Sequence, residues 1–216
     1  GSKHMTEIHR LICGNVNCYI VTDHGNAILV DTGRVRHRDM VLEKCRKFGV
    51  GLIVLTHGHL DHCQNAAYLA GRLRIPIAMS ERDENLIPDN RNQPLSAKTL
   101  PGKLVLAASL ASFEKDRLDA FVPTIALREG ESLASYGVDA EVIELPGHTD
   151  GSIGLETETG LLVGDALMNL FYPTVSMLYT DEEAMRKSVA RIGKLGDRKI
   201  YFGHGRPTDN RWKEKG

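Results

Sequence analysis

Apolar and polar positions along the chain fall into two periods, and the period changes where elements change. Near the start, the apolar-rich runs "NCYIVT" and "AILVDT" flank "DHGN". Polar turn residues and a glycine between two such runs predict a β-hairpin. In "RDMVLEKCRKFGV", Val41, Cys45 and Phe48 recur at i, i+4 and i+7 and Gly49 follows, predicting an amphipathic helix with a glycine stop. "GLIVLT" is a buried strand that runs straight into His57. After it, Ala66, Ala67, Leu69, Ala70 and Leu73 mark one helical face. "IPIAMS" is a short strand, with Pro76 near its start, where a missing N–H costs no central ladder bond.

The second half repeats the order of strands first and a helix after. "DAEVIELPG" is a strand ending at Pro146-Gly147, and "SIGLET" and "LLVGDA" form a second hairpin around "ETG". "TDEEAMRKSVARIGKLG" carries Thr180 and Glu183 at capping-box spacing and an apolar line through Met185, Val189 and Ile192. "KIYFGHG" is the last strand. Residues 84–123, with Pro88, Pro94, Pro101-Gly102 and Pro123, break this rhythm and predict an insertion of short helices able to cap a site. Two halves of this kind fit a two-sheet core with helices outside.

Composition narrows the function classes. The chain has 216 residues, 42% hydrophobic and 25% charged, with a formal net charge of −1. No bulk field recruits nucleic acid, and no apolar run reaches membrane-span length. A small-molecule substrate is the expected partner. Residues 1–5 (Gly1-Ser2-Lys3-His4-Met5) look like an expression-tag remnant, leaving residues 6–216 as one domain. Cys13, Cys18, Cys45 and Cys63 show no CxxC pair, and a domain this large needs no disulfide staples. Reduced thiols and a cytoplasmic setting are expected, with Cys63 as a small buried side chain.

The chemistry concentrates where apolar strands meet glycine-flanked loops. "LTHGHLDH" supplies His57, His59, Asp61 and His62, "LPGHTDG" supplies His148, "LVGDA" supplies Asp165, and "YFGHGRP" supplies His204. His57 and His59 point to one side because side-chain direction repeats every two residues in extended chain. Asp61 and His62, past a turn, face a second position. Seven such groups exceed one tetrahedral ion and suit two ions about 3.5–4 Å apart. Imidazole with carboxylate suits zinc, and also iron or manganese. His9, His24 and His37 lack the strand-then-glycine setting and receive no role.

"HGHLDH", preceded by the Asp31 of "LVDTG" and followed by "PGHT", "GDA" and "GHG" in that order, resembles the metallo-β-lactamase fold superfamily. The resemblance covers nearly the whole chain. It implies a four-layer αβ/βα sandwich of two mixed sheets with external helices. It places His57, His59 and His148 on a first metal, Asp61, His62 and His204 on a second, and Asp165 between them. Asp31 would brace a histidine from behind, and Asp61 would also orient the nucleophilic water. The implied activity is hydrolysis of a small ester, thioester, lactone or phosphoester by a dinuclear centre. The alternative is an iron-dependent oxidoreductase of the same fold, persulfide dioxygenase-like. His62 stands where the most studied zinc β-lactamases carry Arg, which disfavours that subclass. The short stretch after His204 leaves no room for the helical domain of glyoxalase II-like thioesterases. Phe171, Tyr172 and Tyr179 are candidate pocket walls, with core packing as their ordinary role. Arg206 is a candidate for an anionic substrate group.

Overall fold

A computed structural model describes residues 6–210, so the expected tag remnant at residues 1–5 lies outside the described residues. Strands β1 (Glu7–Cys13), β2 (Val16–Asp23) and β3 (Asn26–Val30) form an antiparallel meander. The turn between β2 and β3 places His24 and Gly25 at positive φ, the backbone twist that a two-residue hairpin demands. Helix α1 (Arg38–Phe48) ends on Gly49 in the left-handed conformation, whose N–H caps the carbonyls of Arg46 and Cys45. β4 (Val50–Val54) then enters parallel to β3. After α2 (Leu60–Cys63) and α3 (Ala66–Leu73), β5 (Ile77–Met79) lies parallel to β4.

Residues 84–123 depart from expectation. Single-turn pieces at Glu81–Leu86 and Asn90–Asn92 lead into α4 (Leu100–Lys115), a helix of 16 residues. Pro101 does not break it because it sits in the first turn, where no intrahelical N–H is required. Thr99 caps it through the N–H of Gly102. β6 (Ile125–Ala126) completes a six-stranded sheet in the order β1-β2-β3-β4-β5-β6.

The second sheet contains β7 (Glu141–Glu144), β8 (Ile153–Glu156), β9 (Gly160–Gly164), β12 (Lys199–Phe202) and β13 (Thr208–Asp209), ordered β13-β12-β9-β8-β7. A side hairpin of β10 (Leu167–Asn169) and β11 (Pro173–Val175) precedes α5 (Glu182–Gly193). The capping box expected at Thr180 does not form. Asp181 is the N-cap, accepting from the N–H of Ala184, while Thr180 Oγ1 donates to the Gly147 carbonyl. A carboxylate one residue later is the better anchor for an N-terminal N–H.

Three apolar layers hold four structural ones together. Between the sheets pack Tyr19, Ile28, Val30, Leu52 and Val54 from one side and Val142, Ile153, Leu155 and Leu162 from the other. The outer face of the first sheet covers Val41, Leu42 and Cys45 of α1 and Ala66 and Leu69 of α3. The outer face of the second covers Ile192 of α5. This is the αβ/βα sandwich. Among the described residues no helix is long and apolar enough to cross a membrane. All four cysteines are free and buried, and Cys63 donates its S–H to the His57 carbonyl at 3.0 Å.

Candidate metal centre

Strands β3 and β4 of the first sheet run parallel, as do β9 and β12 of the second, and β7 shares their direction through two antiparallel pairings. The carboxyl ends of all five deliver a polar residue into the crevice between the sheets, the usual ligand position in sheets of this type. Asp31 follows β3, His57 follows β4, His148 follows β7, Asp165 follows β9, and His204 follows β12.

All seven groups named from the sequence meet there. His57, His59 and His148 form one cluster, and Asp61, His62, Asp165 and His204 form another, each with donor atoms within 4.8 Å of one another. Asp165 joins them: its Oδ2 lies 3.5 Å from Nε2 of His57 and of His148, and 3.2 Å from Nε2 of His62 and of His204. The set is buried except at Asp61 and His204, whose side chains keep 21% and 12% of their surface. The set therefore opens to solvent on that side.

Hydrogen bonds fix which ring nitrogen faces inward. Leu178 O and Asn15 O only accept, so they take the Nδ1 protons of His148 (2.7 Å) and His204 (2.6 Å). Asp31 Oδ2 takes that of His62 at 2.9 Å. Thr56 Oγ1 donates to Asp31 and so receives the His57 Nδ1 proton on its lone pair. The Nε2 atoms of these four rings are thereby turned towards one carboxylate, that of Asp165. His59 presents Nδ1 instead, 3.1 Å from His148 Nε2. The Nε2 atoms of His57, His59 and His62 and Asp165 Oδ1 are buried with no hydrogen-bond partner among the described residues.

Charge divides between the clusters. Burial, with His148 and His57 alongside, holds His59 well below the ordinary histidine pKa, and burial pulls His148 down to about 4. Burial also opposes charge on His62 and His204, but Asp165 and Asp61 outweigh it, raising His62 and pushing His204 up to about 10. Asp61 and Asp165 lose solvation too, yet His62 and His204 hold both below the usual carboxylate range. One cluster is built without a carboxylate, neutral in that sense, and the other holds two.

Asp31 does not reach the rim. At φ 63° its carboxylate folds back to accept from the Thr56 N–H and Oγ1 and from His62, so it orients His62 from behind. Gly203 is required by crowding, since a Cβ there would run into the Asp165 carboxylate and the His62 ring. Phe171 and Tyr172 are 94% and 69% exposed, which excludes core packing for both. Their hairpin is tied to the His204 loop through Asn169 N–H to His204 O. Tyr179 is half-buried with its backbone paired to Ser96, and the Arg206 side chain is exposed.

The sequence gives no sign of the β1–β2 turn as a support. Asn17 donates its backbone N–H to Gly203 O and its Nδ2 to Phe202 O (3.0 Å) and Gly205 O (2.7 Å), while Arg10 Nε donates to its Oδ1. Asn17→Ala strands these partners in the interior and is expected to cost on the order of 2–3 kcal/mol of unfolding free energy. Urea unfolding measures it, and an unchanged midpoint would show that the clamp contributes nothing.

Known proteins of similar sequence and shape agree with this architecture. The chain is 28% identical over 200 residues to hydroxyacylglutathione hydrolase GloC of Haemophilus influenzae, covering 89% of this chain and 86% of that one. TTHA1623 in a di-iron-bound form superposes with a TM-score of 0.69 at 23% identity, over 96% and 98% of the two chains. The BLEG-1 B3 metallo-beta-lactamase gives 0.74 at 21%, over 94% of each; at such identities the likeness concerns the fold. The sequence profile of the metallo-beta-lactamase superfamily matches residues 11–204, from β1 to the last histidine of the rim, and the chain belongs to that superfamily.

Proposed function

We propose that the protein is a dinuclear metal-dependent hydrolase of a small ester or thioester, acting in the crevice between its sheets. The observation that carries this reading is the convergence of acceptors. The Nε2 atoms of His57, His59 and His62 and Asp165 Oδ1 are buried without a hydrogen-bond partner among the described residues, an arrangement that costs free energy unless cations lie among them. His57, His59 and His148 would hold one ion, Asp61, His62 and His204 the other, and Asp165 would touch both. Zinc suits these donors, and so do iron and manganese. Such ions, when bound, polarise the scissile carbonyl and bring the pKa of the attacking water towards neutrality.

The chain's own residues supply the rest. Asp61, the more exposed carboxylate, is placed to orient the proton of the attacking water. Asp31, Leu178 O and Asn15 O keep three imidazoles in the tautomer that offers Nε2 inward, the usual duty of partners behind a metal ligand. The Phe113 ring, 5.6 Å from His59, and the exposed Phe171 and Tyr172 flank the rim and are the surfaces for the acyl and leaving groups.

Within this class, resemblance to a hydroxyacylglutathione hydrolase supports a thioester. The chain spans 86% of the Haemophilus protein, so the likeness extends over most of that relative. The persulfide dioxygenase-like alternative uses one iron and three protein groups. The complete set of seven supports two ions and hydrolysis. Elemental analysis of natively expressed protein is expected to give two ions per chain, and a chelator is expected to remove both ions and the turnover of an acylglutathione thioester. One ion or none in metal-replete protein, or oxygen uptake on a persulfide in place of hydrolysis, would overturn the reading.

A further inference from the structure

We infer that Asp83, which follows β5 and belongs to none of the histidine motifs, is a positioning residue that sets the distance between the two loops carrying His57, His59 and His148. The inference rests on the metal reading above and names what holds its first position together.

Asp83 has no exposed surface and no cationic side chain bonded to it. Its carboxylate accepts four hydrogen bonds. Oδ2 takes the Gly58 N–H at 2.9 Å and the Thr149 hydroxyl at 2.6 Å. Oδ1 takes the Gly151 N–H at 2.7 Å and the Gln93 amide at 3.0 Å. Gly58 lies between His57 and His59, on the loop from the first sheet. Thr149 and Gly151 flank the turn just after His148, on the loop from the second. One side chain thus spans both sheets, within two residues of all three imidazoles of the neutral cluster.

The glycines in these motifs carry the same message. A Cβ at Gly151 would meet the Asp83 backbone N at 2.7 Å and its carboxylate at 2.8 Å, and one at Gly58 would meet Asp83 O at 3.0 Å and Leu86 Cβ at 2.8 Å. Both loops approach the Asp83 segment as closely as a bare backbone permits. Asn90 reinforces the contact, accepting from Leu60 N–H at 2.7 Å and donating to Gly58 O at 3.0 Å. None of these bonds reaches Asp61, His62, Asp165 or His204. The support is therefore specific to one of the two positions.

An acceptor-only group is what four donors call for. Asp83→Asn turns one oxygen into an NH2, and whichever way the amide is flipped two donors lose their acceptor. The test is a Co2+ titration of metal-free wild type and Asp83→Asn, its two equivalents assigned with His59→Ala and His204→Ala. The expected result is a 10–100-fold loss of affinity at the three-histidine position, with the other position unchanged. Faster hydrogen exchange at the Gly58 and Gly151 amides should accompany it. Thr149→Val, which removes one of the four bonds, provides the same comparison if Asp83→Asn does not fold, with a several-fold loss at the same position only. Equal weakening of both positions would mean general loosening and would overturn the inference, as would unchanged affinity at the first position. Failure of wild type to take up Co2+ would overturn the metal reading itself, and this one with it.

Discussion

Asp165→Ala is expected to lower hydrolysis at least about a thousandfold and to reduce metal content from two ions per chain to one or none. Asp165 Oδ2 lies within 3.5 Å of imidazole nitrogens from both clusters. Without it, the neutral cluster keeps three imidazoles but loses the negative charge that offsets an ion's desolvation. The mixed cluster loses one of its two carboxylates. On the proposed hydrolase reading, the ions would supply several kcal/mol of stabilisation at the reacting oxygen, and each 1.36 kcal/mol is a factor of ten in rate. Turnover on the thioester panel, elemental analysis and circular dichroism together check this. Near-normal turnover with two ions retained would place the chemistry elsewhere.

His59→Ala is expected to be nearly as severe in rate but different in kind. The neutral cluster loses one of three donors, so turnover falls to background and one ion is lost. The other position should keep its ion, because the bonds that orient His62 and His204 run to Asp31 and Asn15 and none passes through His59. A stoichiometry of one ion per chain with a native circular dichroism spectrum is the expected readout. A variant that turns over normally would sink the assignment of this cluster.

The convergence of the seven rim residues was legible in the sequence because five of them, His57, His59, His148, Asp165 and His204, combine a metal-capable side chain with glycine beside it near a strand end, and Asp61 and His62 follow in the same motif. The hairpins and α1 were legible for a similar reason, since apolar period and turn chemistry agree there. The supports were not. Asn15 and Leu178 act through backbone carbonyls, which every residue type possesses, so no letter of the sequence marks them. Asp83 lies 24 residues after His59 and 65 before His148, and looks like one acid among several in "SERDEN". The length of α4 within residues 84–123 was not legible because Pro101-Gly102 reads as a breaker, while its actual place in the first turn makes it harmless. Phe171 and Tyr172 look like core from composition alone, and only the tip of the β10–β11 hairpin leaves them in solvent.

The grip of the β1–β2 turn on the His204 loop has a consequence for how the protein is born. Asn15 and His204 are 189 positions apart, yet one fixes the ring of the other. A nascent chain has its first six rim residues by Asp165, but the seventh is seated only after two segments 189 positions apart have found each other. Closures over such separations are the slow events of folding. Completion of the centre is therefore a late checkpoint, passed only by molecules whose two sheets have already docked.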